Sequence, residues 1–384
     1  MICMSLVLCS VLYLIRYQIL FPKGTRIHET LSKTTSSALQ ELFPKVTRIH
    51  ETFSKTTSSA LHVLFPKGTR VNETFTKTTS SALHREQGSQ PNDFPDVLTF
   101  VDNHWKHENL CKPYKMFLNH SDFLLLRYTT NAGSVKIFTH SLKDGMSLII
   151  SRSGAFELKT INRVLYQLEQ DPNMNLIDIG TNIGQHSIAA AMIGRDSIAI
   201  DNAISNIEHA CASAEYLNIG SRITLIHNIL SDSSGKRMFR YSATHTDFGV
   251  NHVDSDGIWD KMKKKFYEFN FGKTVQENST TLDNLFFLPQ IQKFQKVFVK
   301  MDVEGHEHRV LLGAKNFFKQ LDVHGIIMEW TWHVKRPSSK IIKTLMTEWN
   351  FKPFEFFENT ESDLSSINSD LWPPDVLWLP MKMH

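Results

Sequence analysis

Between residues 175 and 330 the sequence alternates short apolar runs with segments of helical periodicity, an order that few folds accept. Residues 175–179 (NLIDI) form an apolar run ending at a turn, the pattern of a buried strand. Residues 185–192 (QHSIAAAM) are Ala-rich and stopped by Gly194, which predicts a helix. Residues 197–201 (SIAID) predict a second strand. Ile204, Ile207, Cys211, Ala214 and Leu217 then recur at helical spacing, and residues 223–227 (ITLIH) predict a third strand. A fourth strand is expected at 297–302 and a fifth at 325–330. Between them Val310, Leu311, Ala314, Phe317, Phe318 and Leu321 form one helical face, and a late apolar strand follows at 376–379. Alternation at this spacing implies an α/β fold, a doubly wound and mainly parallel sheet with helices on both faces. Right-handed crossovers put the strands' carboxyl ends on one edge, where ligands bind.

The composition narrows the function. With 41% hydrophobic residues and 26 Phe among 384, the chain can bury a sizeable core, so disorder throughout is excluded. Lys plus Arg number 42 against 39 for Asp plus Glu, a formal charge of +3, which is too balanced for a dedicated nucleic-acid binder. Four Cys make no disulfide scaffold, and no CxxC or His-Cys cluster points to zinc. Cys111 and Cys211 are expected as two separate buried thiols rather than a bridge.

The first 95 residues are set apart. Residues 1–21 are apolar and, as a helix rising about 1.5 Å per residue, just long enough to cross a bilayer. They are expected to be a signal anchor, with a cleaved signal peptide as the alternative. Three copies of a 22-residue repeat follow, starting at Leu20, Leu42 and Leu64. Each copy is rich in Ser, Thr and Lys and carries a helix-breaking Pro, so residues 22–95 are expected to be a stalk and linker rather than a solenoid. Residues 96–384 are expected to be the folded domain. Arg16, Lys23 and Arg26 favour a cytosolic domain by the positive-inside rule. Sequons at Asn72, Asn119 and Asn278 argue for the secretory lumen (Golgi or ER), which is the expected location. Residues 228–296 are too long for a simple loop and are expected to form a surface insertion, with the basic run at 261–265 as a solvated face.

The first loop reads Asp178-Ile179-Gly180-Thr181-Asn182-Ile183-Gly184, after a strand and at the start of a helix. Gly180 permits the tight turn, and Gly184 permits close approach of backbone to ligand or strand. The spacing is G-x-x-x-G rather than the dinucleotide G-x-G-x-x-G, and Asn182 stands where a middle glycine would admit a pyrophosphate. Asp201 ends the second strand, where an acid can accept hydrogen bonds from ribose hydroxyls. Loop and acid together indicate an adenosine cofactor without choosing between NAD and S-adenosylmethionine.

The fourth strand continues Lys300-Met301-Asp302-Val303-Glu304-Gly305-His306-Glu307, then Val310-Leu311-Leu312-Gly313-Ala314. With DIGTNIG, the Leu282-Asp283 segment, Glu329 and the Gly154-Ala155-Phe156-Glu157 lead-in, this resembles the FkbM-type methyltransferases over about residues 150–335. The resemblance implies a class I, Rossmann-like methyltransferase fold, S-adenosylmethionine as cofactor, and transfer to a hydroxyl oxygen. By position it implies that Asp178, Gly180, Thr181, Asn182 and Gly184 line the cofactor, Asp201 meets the ribose, and Asn228 stands at the adenine. The family more often has Glu-Pro where this chain has Asp201-Asn202.

Oxygen methylation needs a base, because a hydroxyl is a poor nucleophile. His306 is the first candidate, since it titrates nearest neutrality. Asp302 positions the acceptor or shares the role, Glu304 joins it or caps the next helix, and Glu329 completes the set. A divalent metal on Asp302, Glu304 and Glu329 is an alternative use of the same carboxyls, although no resident metal is expected. His186 and His333 are further candidates whose simpler role is packing. The expected acceptor is a small-molecule or glycan hydroxyl. The alternatives are a non-catalytic scaffold on the same fold and an NAD-dependent sugar oxidoreductase.

Overall fold

The computed structural model describes residues 93–242, 252–253 and 271–381, with the backbone alone described at 238–242, 252–253 and 271–275. The apolar run at 1–21, the repeats and the basic run at 261–265 lie outside the described residues. Among the described residues no helix is long and apolar enough to cross a membrane.

The strands are β1 (Asp96–Val101), β2 (His104–His107), β3 (Leu124–Thr130), β4 (Gly133–Thr139), β5 (Met174–Ile179), β6 (Ser197–Asp201), β7 (Ile223–His227), β8 (Ile229–Leu230), β9 (Gly235–Ser242), β10 (His252–Val253), β11 (Phe271–Thr280), β12 (Lys296–Met301), β13 (Asp322–Glu329), β14 (Phe351–Phe357), β15 (Thr360–Asp363) and β16 (Asp375–Pro380). The α-helices are α1 (Gly145–Ser153), α2 (Leu158–Glu169), α3 (Gln185–Met192), α4 (Ile204–Leu217), α5 (Glu307–Leu312), α6 (Phe317–Gln320) and α7 (Pro337–Glu348).

One ten-stranded sheet organises them in the order β15-β14-β16-β13-β12-β5-β6-β7-β1-β2. From β13 to β1 every neighbouring pair is parallel, and β16 runs antiparallel between β13 and β14. This is the doubly wound, mainly parallel sheet expected. Its central strands are buried on both faces and are therefore apolar almost without interruption, as in β6 and β12. From β5 the chain winds outward through β6 to β7, then returns to lay β12 on the other side of β5. That reversal opens a crevice at the carboxyl ends of β5 and β12.

Three expectations need correction. The helical face at 310–321 is split into α5 and α6, because Gly313 packs against backbone. A Cβ there would lie 2.2 Å from the Ser231 carbonyl oxygen, and the Asp283 carboxylate caps the amides of Asn316 (2.9 Å) and Phe317 (2.8 Å). The stretch at 228–296 is not surface loop alone. Its described part builds a second sheet, β10-β9-β11-β8. Cys111 and Cys211 are not separate thiols: they are bonded, tying the β2–β3 connection to α4.

Candidate active site

The turn after β5 is held by its own side chains. Asp178 is fully buried, and its Oδ2 accepts from the hydroxyls of Thr181 (2.6 Å) and Ser187 (2.9 Å). Gly180 has φ 75°, and a Cβ would sit 1.7 Å from the Asp302 carbonyl oxygen. Only glycine lets the β5 turn lie so close to the end of β12. Asn182 is also left-handed, φ 52°, and its N–H donates to Asp201 Oδ2 at 2.9 Å. Gly184 starts α3 with φ 86°, and its missing Cβ makes room for Ala210 of α4. Asp201 Oδ1 accepts from the Ala203 N–H (2.8 Å) and Asn206 Nδ2 (3.2 Å). Burial pushes the Asp201 carboxyl up to about 6 against the pull of those bonds.

These residues fit a ligand rich in hydrogen-bond donors. Asp178 Oδ1 and Asn182 Oδ1 are both buried without a partner. A carboxylate offers about four lone-pair sites. Asp201 accepts three bonds and retains room for one donor more. Asn228 does different work: its Oδ1 accepts from the Phe100 N–H (2.6 Å), and its Nδ2 donates to the carbonyls of Phe100 (3.2 Å) and Asn278 (3.3 Å). It is a strut joining β1 to β11.

Across the crevice, β12, β13 and β16 bring carboxyl groups together. In-register pairing places Glu329 opposite Asp375, and Met301, just before Asp302, opposite Met328, just before Glu329. Burial, then Asp302 and the neighbouring glutamates, push Glu329 up to about 12, so it is a neutral acid at pH 7. Its Oε2 is buried with no partner. Burial, Asp302 and Glu307 raise Glu304 to about 8, while the Trp332 indole N–H donates to its Oε2 at 2.9 Å. Burial and Asp302 likewise raise Glu157 to about 8 and Asp375 to about 6. Lys300 is the cation amid this group. Its Nζ donates to the Gly180 carbonyl (2.9 Å) and lies 3.6 Å from Asp302 Oδ2. Burial alone would lower its pKa, but Asp302, Asp178, Glu157 and Asp375 outweigh it and raise the pKa, so it stays charged.

Glu307 is fully buried and committed to structure. Its Oε1 accepts from the N–H groups of Val303 (2.9 Å) and Gly305 (3.3 Å), and its Oε2 meets His333 Nε2 at 2.8 Å. His333 Nδ1 in turn meets Ser338 Oγ at 2.8 Å. Burial works to raise the Glu307 pKa, and the His333 bond and the amides outweigh it, leaving a lowered value. Among the described residues, Asp302, Glu307 and Glu329 bring carboxyl oxygens within 4.8 Å of one another, the spacing of a metal site. Glu307 is nevertheless spent on the loop amides and His333, so the donor set fits a divalent ion poorly. His306 is 2% exposed, and its Nε2 meets Ser231 Oγ at 3.2 Å. His186 is buried, and burial lowers its pKa to about 4, which keeps it neutral.

Comparison with known proteins bears on this crevice. The family model described as the methyltransferase FkbM domain matches residues 166–353, a span that holds the Gly180 turn, Asp201, the Asp302 block and Glu329. The chain carries an FkbM methyltransferase domain. No curated protein matches the chain. Among solved structures, the chain is similar to an O-methyltransferase from Bacillus cereus in complex with SAH, at 9% identity over 58% of this chain and 80% of that one, TM-score 0.30. A magnesium protoporphyrin IX methyltransferase from Synechocystis with bound SAM shows 13% identity over 58% and 78%, TM-score 0.29. A SAM-dependent O-methyltransferase from Thermotoga maritima shows 10% identity over 77% and 96%, TM-score 0.30. These likenesses are too distant to carry residue correspondences.

Sequence reasoning passed over Lys300, Glu307, Glu157 and Asp375 as site residues. Lys300 and Glu307 flank Asp302 and Glu304 in one block, and a lysine amid acids near a strand end was the available signal. Glu157 stood in the lead-in motif. Asp375 gave no local signal, because only antiparallel β16 brings it beside Glu329.

Proposed function

We propose that this domain transfers a methyl group from S-adenosylmethionine to a hydroxyl oxygen, with a sugar or glycan as the acceptor. The carrying observation is Glu304, a buried carboxyl raised to about 8 and two residues beyond the Asp302 carbonyl that abuts Gly180. S-adenosylmethionine, when bound, supplies a methyl group already activated on a sulfonium. Asp178, Asn182 and Asp201 hold it through their remaining acceptor sites, and the Gly180 turn fixes their placement.

The chain's other residues prepare the acceptor. Glu304 takes the hydroxyl proton, since a base works best with a pKa near the operating pH. Trp332 fixes its Oε2, and the Glu307–His333 pair holds the backbone on which it sits. Neutral Glu329 hydrogen-bonds Asp302 and holds that carboxylate toward the acceptor without adding charge. Lys300 balances Asp302, so that acids accumulate here without forcing the strand ends apart. A membrane anchor at residues 1–21 and a stalk at 22–95 would hold the domain in the secretory lumen, where glycan hydroxyls are abundant.

The test is transfer of labelled methyl from S-adenosylmethionine to a glycan panel by the full chain. Label in a hydroxyl ether is expected, with Glu304→Gln slowing turnover by about 10²–10⁴-fold while cofactor binding persists. Label on nitrogen or as a base-labile ester, or full turnover by Glu304→Gln, contradicts the assignment.

A further inference from the structure

One end of the disulfide and one sequon fall on the same segment, between β2 and β3. We propose that Asn119 carries an N-linked glycan, so that this domain matures on the lumenal side of a secretory membrane. The proposal is independent of the methyl-transfer reading and of the acceptor.

Two observations converge on it. The Cys111–Cys211 bond joins the segment between β2 and β3 to α4, and such bonds persist in oxidising compartments and are rare in the cytosol. Eight residues past Cys111 lies Asn119-His120-Ser121, the acceptor pattern modified in that same compartment. Phe117 and Phe123 are buried and stacked at 4.0 Å, which pins the base of a turn. Hydrogen bonds from the His120 N–H to Phe117 O (3.0 Å) and from the Phe123 N–H to His120 O (3.1 Å) shape it. At its tip Leu118, Asn119, His120 and Ser121 are all exposed. Met116 and Leu118 expose 66% and 50% of their surface there, apolar area that a glycan core would cover.

The sequon at Asn278 is placed otherwise. Asn278 pairs with Lys236 in the β9–β11 ladder, and its carbonyl accepts from Asn228 Nδ2. Its hydroxyl residue, Thr280, is fully buried and accepts from Asn284 Nδ2 at 3.0 Å. A glycan there would crowd the β8–β11 sheet.

The step is group transfer from a lipid-pyrophosphate-linked oligosaccharide, catalysed by the membrane oligosaccharyl transferase. Asn119 Nδ2 bonds to the anomeric carbon, the glycosyl–phosphate C–O bond breaks, the lipid pyrophosphate leaves, and the amide nitrogen loses one proton. No oxidant is needed.

The experiment is translation of the full chain, in an Asn72→Gln background, with glycosylation-competent microsomes. One slower-migrating band that endoglycosidase H removes is expected. It should be absent in Asn119→Gln and in Ser121→Ala and retained in Asn278→Gln. Cys111 and Cys211 of the microsomal chain should resist maleimide until reduced. No shifted band while a control glycoprotein shifts, or a shift that survives Asn119→Gln, overturns the proposal. Labelling of both cysteines without reduction overturns the compartment assignment. Band mobility does not require a folded enzyme, so even a misfolded variant shows whether the glycan was added.

Discussion

Gly180 shows how one missing Cβ builds the crevice. An alanine there would put carbon 1.7 Å from the Asp302 carbonyl oxygen and hold a side-chain residue at φ 75°. Gly180→Ala should therefore cost more than about 2 kcal/mol, read as a lowered denaturation midpoint, the left-handed backbone alone accounting for about 1–2. The glycine was legible from its place after a strand, but its contact with Asp302 was not, because that contact is long-range. Glu304 and His306 make the opposite point. Residue type favoured His306 as the base, yet its ring is buried against Ser231, while burial brings Glu304 to about 8. Solution pKa values rank His306 first, and burial makes Glu304 a competing candidate. The pH dependence follows with its sign. The folded Glu304 keeps its proton up to about pH 8, whereas the unfolded carboxyl loses it near its ordinary 4.5. Stability should fall as pH rises across that window, while kcat/KM rises toward and through pH 8. Glu304→Gln should flatten both trends, and an unchanged rate profile would remove Glu304 from the base role.

At the scale of elements, strands and helices inside the βα pattern were readable because their burial is two-sided or strongly periodic. Residues 185–192 and 197–201 predicted α3 and β6 to the residue. The α5–α6 break was not readable, since Gly313 is demanded by the backbone of Ser231, far away in sequence. The Glu307–His333–Ser338 chain ties α5 to α7 through buried polar groups. His333→Ala leaves the Glu307 carboxylate without its partner, so a loss of about 3–5 kcal/mol is expected by chemical denaturation. Repair by Glu307→Gln in the same chain would show that the unpaired charge is the cause. The Cys111–Cys211 bond closes a separation of 100 residues, and chain entropy assigns it about 4–5 kcal/mol. Reduction should lower the thermal midpoint accordingly, and an unchanged midpoint would show that α4 is held without it. The sequence left Cys111 and Cys211 as the pair that could bridge but favoured two thiols, because their proximity exists only once α4 packs beside the β2–β3 connection.

Across the whole molecule, the sheet order decides where chemistry is possible. The reversal between β5 and β12 opens the edge, and β16 then carries Asp375 to it from the far end of the chain. The parallel core was foreseeable from alternation, whereas β2 and β14 were not, since an edge strand and a long-range antiparallel return leave weak local patterns. Lys300 compensates the acids of that edge as a group. Lys300→Met should destabilise the domain more at pH 8 than at pH 5, because protonating Asp375 and Asp201, both near 6, relieves the uncompensated charge on acidification. Equal destabilisation at both pH values would mean that Lys300 contributes packing alone. The most direct test is calorimetric titration of the full chain with S-adenosylmethionine, and with NAD as the control. Micromolar binding of the first alone, weakened about tenfold or more by Asp201→Ala, is expected from the loss of one bond to a charged acceptor. No binding of S-adenosylmethionine to the folded chain, or equal binding of NAD, contradicts the assignment of the Gly180 crevice as a methyl-donor site.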